Sequence, residues 1–102
     1  MKAASRQRAK ALALPAILDI GNAVELMDTL VAALEQSPVL RLNGSKTEQV
    51  STPGVQVLLA ASQSAQSGGG KLVLADPSQA LREAFDALGL PNQLKEWSAA
   101  NG

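Results

Sequence analysis

Val50-Ser51-Thr52-Pro53-Gly54-Val55-Gln56-Val57-Leu58-Leu59-Ala60 decides the fold of this chain. It passes from a strand end, through a turn bearing two hydroxyls, into an amphipathic helix. Thr52 suits an N-cap, since its side-chain oxygen can accept a backbone N–H left free in the first helical turn. Pro53 then falls at the first helical position, where a missing N–H costs nothing and φ is already helical. Gly54 leaves backbone uncovered at the helix start, open to close approach by another molecule. The positive end of a helix suits an anion or a phosphoryl group as well as a capping oxygen.

Upstream, Val39-Leu40-Arg41-Leu42 reads as a short buried strand, and the polar run Asn43–Gln49 as a loop with a strand segment reaching Val50. Downstream, the helix is expected from Pro53 to about Gln66. Val55, Leu58, Leu59 and Ser62 share its core face, and Gln56, Gln63 and Gln66 the opposite one. That second face is uncharged and suits flat contact with a partner. Ser67-Gly68-Gly69-Gly70 ends the helix, with a glycine free to take the left-handed cap. A phosphate-cradling glycine loop follows a strand and opens a helix. This one does the reverse, so it reads as a turn into the strand Lys71–Ala75.

The motif and its surroundings resemble STAS domains, the fold of bacterial anti-sigma factor antagonists. Their signature is apolar-Asp-Ser/Thr-Ser/Ala-Gly-apolar-x-x-Leu, and Val50 to Leu58 looks like it. So do the strand Val39–Leu42 before it, then Gly68-Gly69-Gly70-Lys71-Leu72-Val73-Leu74, Asp76-Pro77-Ser78 and Leu88-Gly89-Leu90 after it. The similarity spans roughly Leu12 to Trp97, a domain of ordinary size. It implies an α/β fold, a single STAS-like domain with a mixed central sheet of four to five strands and about four helices. Two positions depart from the family pattern. Ser51 stands where the Asp is usual, and Pro53 matches the position of the phosphorylated Ser in antagonists. A phosphorylation switch would therefore use Thr52 or Ser51.

Composition narrows the chemistry. The chain of 102 residues is 46% apolar, with no Cys and no His. Thiol nucleophiles, disulfides, the commonest metal ligands and the commonest neutral-pH base are thus missing. Without clustered carboxylates either, no catalytic residue, metal site or cofactor is expected. Phe85 and Trp97 are the only aromatics, so stacking surfaces for bases are lacking. The formal charge is zero, yet Lys2, Arg6, Arg8 and Lys10 hold four of the nine basic residues, which leaves five basic against nine acidic in the remainder. An acidic body argues against nucleic-acid binding. Residues 1–9 are expected as a disordered basic tail and 10–102 as the domain.

Basic residues followed by Ala11–Leu18 superficially fit an export signal, but Pro15 and Asp19 interrupt the apolar run. It reads instead as cytoplasmic strand, and no run approaches a membrane span. Lys10–Leu14 is expected as the first strand, with Pro15 at its end or at a bulge. Ala16–Ile20 is expected as a second strand, antiparallel to the first. Asn22 with Glu25 resembles a capping box, and Met27, Leu30, Val31 and Leu34 make the buried stripe of the helix it opens. Asp76 and Pro77 are expected to start a further helix with the stripe Leu81, Ala84, Phe85 and Leu88, closed by Gly89. Leu94 and Trp97 belong to a last short helix on the core rim. A final strand, frequent in the family after this point, is not evident.

The resemblance implies a non-enzymatic regulatory protein that binds a kinase, anti-sigma factor or chemotaxis component. Contact would run through Ser51, Thr52, Pro53, Gly54, Val55 and Gln56, with Thr52, or less favourably Ser51, as phosphoacceptor. The alternative it implies is a constitutive subunit on the ATPase of a bacterial lipid transport complex.

Overall fold

The computed structural model describes residues 11–99. The expected basic tail and Lys10 lie outside them. In chain order the elements are β1 (Leu12–Ala13), β2 (Ile17–Leu18), α1 (Ile20–Gln36), β3 (Val39–Asn43), β4 (Gln49–Val50), α2 (Thr52–Ser67), β5 (Lys71–Ala75), α3 (Gln79–Ala87) and α4 (Pro91–Ala99). The protein is a small α/β domain, with four helices and about five strands in two short sheets among the described residues. One has the order β1-β3-β5 and the other pairs β2 with β4.

Every strand pairing among the described residues is parallel. The antiparallel pair expected between the first two strands is therefore not formed among the described residues, where β1 pairs with β3 and β2 with β4. Leu14-Pro15-Ala16 does not reverse the chain. It links the two strands against the same partner segment, with Leu14 N donating to Asn43 O at 2.9 Å and Glu48 N to Ala16 O at 2.7 Å. Leu12 and Ala13 lie opposite Leu42 and Asn43, and Ile17 and Leu18 opposite Gln49 and Val50. The partner segment thus bulges by two residues between the ladders. Thr47, buried in that bulge, donates its hydroxyl to the Pro15 carbonyl at 2.9 Å.

Parallel neighbours require crossovers, and α1 and α2 supply them. Both steps go the same way along β1-β3-β5, so the two helices pack side by side on one face. Leu40, Leu42, Leu72 and Leu74 alternate along the strands to meet Leu26 and Leu30 of α1 and Val55, Leu58 and Ala61 of α2 in one cluster. Helix α4 packs against β5 and α3.

Several local expectations shift. Helix α1 starts earlier than Asn22. Asp19 is its N-cap, accepting from Gly21 N at 2.9 Å, while Asn22 at N3 accepts from Asp19 N at 3.1 Å. The capping box exists, but Asp19 holds it and ends the second strand at Leu18. Leu26 and Leu30 are the buried residues of α1, whereas Val31 is exposed. Asp76 does not cap α3. Its φ of 50° turns the chain left-handed, which Asp tolerates better than most side chains, and Ser78 caps instead by accepting from Leu81 N at 3.2 Å. Leu88 becomes the C-cap residue and is exposed. Gly69 and Gly89 take the positive φ expected where α2 and α3 end.

Trp97 is a core residue, 3% exposed. Its indole N–H donates to the Ser62 hydroxyl at 3.2 Å. Its ring meets Phe85 edge-on, with centroids 5.5 Å apart. Such a pair adds about 0.5–1.5 kcal/mol beyond area burial. Trp97→Ala is expected to destabilise the domain by about 3–5 kcal/mol, measured by urea unfolding. Ser62→Ala should cost about 1–3 kcal/mol through the unpaired indole N–H.

Candidate functional site

The corner is built on one carbonyl. Ser51 N donates to Leu18 O at 2.8 Å, and the Ser51 hydroxyl reaches the same oxygen at 3.2 Å. Strand β4 is thereby tied to β2 at the point where α2 begins. Ser51, not Thr52, is the N-cap residue, and no side chain caps the helix. Its hydroxyl is turned back to the strand, so it cannot serve the helical N–H groups. Val55 N closes the first turn on Ser51 O at 3.2 Å.

Thr52 is consequently the first helical residue and Pro53 the second. The Thr52 side chain is exposed, and its hydroxyl makes no hydrogen bond among the described residues. Glycine at 54 serves packing rather than access. It is buried, and a Cβ there would stand 2.7 Å from both the Leu18 Cβ and the Leu18 oxygen. No partner can approach a backbone that Leu18 already covers. Val55, 1% exposed, is likewise core. Of the six positions expected to meet a partner, Thr52 and Gln56 are exposed, Ser51 and Pro53 half-buried, and Gly54 and Val55 support the corner from beneath.

Helix α2 extends this corner into a surface. Thr52, Gln56 and Gln63 fall at i, i+4 and i+11, one narrow sector of a 3.6-residue repeat, and all three are exposed. Its sixteen residues include no Asp, Glu, Lys or Arg. Solvated helix faces ordinarily carry charge, and the positive helix end has no acidic residue in its first turn to offset it. An exposed hydroxyl beside an unneutralised helix start is the chemical character of this place. A groove of about 590 Å³ between α3 and α4 is lined by Pro77, Arg82, Asp86, Leu94 and Lys95 among others and includes no corner residue. Among the described residues no group of three or more His, Cys, Asp or Glu side chains is placed to hold a metal.

The family model described as "Mlab, STAS domain" matches residues 1–96. The chain belongs to the STAS family. Comparison with curated proteins and with solved structures gives no match. In this STAS domain Val50–Leu58 runs from a strand end through the turn at Ser51 into a helix start, at the corner described above. Sequence reasoning missed the anchor, Leu18 O. A backbone carbonyl 33 positions away leaves no mark in residue type.

Two substitutions separate the surface from its support. Thr52→Ala should leave stability within about 0.5 kcal/mol, as for other exposed positions without a bonded partner. Gly54→Ala should lower it by about 1–3 kcal/mol through the clash with Leu18, read by chemical denaturation.

Proposed function

We propose that this STAS domain is a non-enzymatic docking module of the anti-sigma factor antagonist-like kind, whose contact with a partner protein is centred on Thr52. The observation that carries this reading is the exposed, unbonded Thr52 hydroxyl at the uncharged start of α2. In the regulatory form of the proposal, the partner is a kinase, anti-sigma factor or chemotaxis component. A phosphoryl group on Thr52 would add about −1.5 to −2 charges. At the helix start it would meet the positive end of the dipole, so the folded domain tolerates it. A partner surface packed flat against Gln56 and Gln63 would not.

A second form has specific support in Pro53, which occupies the family's usual phosphoacceptor position and has no hydroxyl. Here the same corner is a fixed contact, and the domain is a constitutive subunit on a transport ATPase. Both forms use the same surface. They differ in whether Thr52 is modified.

Affinity purification from the native host tests the shared surface. Thr52→Glu should recover about tenfold less of the wild-type partner, with an unchanged circular dichroism spectrum. Equal recovery contradicts the corner as the contact. Incubating the complex with its partner and ATP separates the two forms by mass spectrometry. Gain of one phosphoryl group on Thr52 supports switching, and an unmodified chain co-purifying with an ATPase supports the fixed subunit.

A further inference from the structure

Helix α1 is apolar over a wider arc than the core covers. Leu26 and Leu30 point inward, yet Ile20, Val24, Met27 and Val31 follow at steps of four, three and four residues and form a second stripe beside them. Ile20 is 77% exposed and Val24 74%, with Val31 also exposed and Met27 half-buried. Four of the five large apolar side chains exposed among the described residues, namely Ile17, Ile20, Val24 and Val31, lie in this one stretch. Scattered exposed apolar residues need no explanation, but a contiguous row does.

Charge selects what would cover it. Helix α1 carries Glu25, Asp28 and Glu35 and no Lys or Arg. Asp28 and Glu35 each follow a stripe residue, Val24 and Val31, by four positions, so they edge the row on its solvent side. A second copy of the chain would bring acidic edges together, and an anionic lipid surface would be repelled by them. We infer that the stripe Ile17–Ile20–Val24–Met27–Val31 is a docking face for a cationic amphipathic helix of another protein. Such a helix would lay apolar residues at i, i+4 and i+7 along the row, with Lys or Arg against Asp28 and Glu35. The stripe begins beside the Thr52 corner, because Ser51 is bonded to Leu18, the residue after Ile17. The inference deepens the docking reading by giving the partner a chemistry, and its test does not depend on the corner.

The probe is a synthetic 18-residue helical peptide with leucine at stripe spacing and flanking lysines, beside a twin carrying glutamate for lysine. Titrated into the ¹⁵N-labelled full chain, the lysine peptide should shift amides of residues 17–31 saturably and bind about tenfold tighter than its twin. Ile20→Ser with Val24→Ser, both at exposed positions, should abolish binding without changing the melting temperature. Asp28→Asn with Glu35→Gln should bring the two peptides close to equal. Thr52→Glu should leave the peptide bound, so failure of the corner in partner capture and failure of the stripe here are separate results. The inference is overturned by no binding, by equal binding of the two peptides to the unmodified chain, or by shifts mapping away from residues 17–31. Dimerisation in sedimentation equilibrium that the Ile20/Val24 variant dissociates also overturns it, by making a second copy the occupant.

Discussion

The close contact between Gly54 and Leu18 sets where everything else can stand. A side chain at position 54 would collide with Leu18 at 2.7 Å, and only its absence lets the start of α2 rest on β2. The Leu18 carbonyl takes two bonds from Ser51 in the same place. Strand, turn and helix are thereby fixed at one point, and the residue between Ser51 and Pro53 is left facing water. Thr52 is exposed because its neighbours on both sides are committed inward.

This arrangement gives the corner the character that the proposed docking role needs. Its polar groups are a hydroxyl, amides and a helix dipole, which favour a negative charge placed beside them. The uncharged run of α2 behind Thr52 costs less to desolvate against another surface than a charged face would. The acidic residues of α1 stand on the neighbouring helix. A partner reaching both would meet a neutral corner and then an apolar row with a negative edge.

Much of this was legible in the residues. Periodicity placed α2 and β5 within a residue or two of their bounds, and the left-handed glycines at 69 and 89 follow from the need to end helices. The STAS resemblance held, while Trp97, expected on the core rim, is a buried member of the core itself. What sequence could not convey was long-range pairing. Nothing in Leu14-Pro15-Ala16 says whether the chain reverses or runs on, and that choice made the described sheets parallel. Competing caps were also beyond local rules. Asp19 and Asn22 are both good N-cap types, as are Asp76 and Ser78, and tertiary position selected Asp19 and Ser78. The same ambiguity moved the cap from Thr52 to Ser51, which turned Gly54 from an access point into a packing contact.

Hydrogen–deuterium exchange on the chain, free and in complex with its co-purified partner, tests the central claim most directly. If the Thr52 corner is the contact, amides of residues 51–56 slow markedly in the complex, while the groove between α3 and α4 is unchanged. Unaltered exchange across 51–56, with protection confined to α3 and α4, contradicts the account.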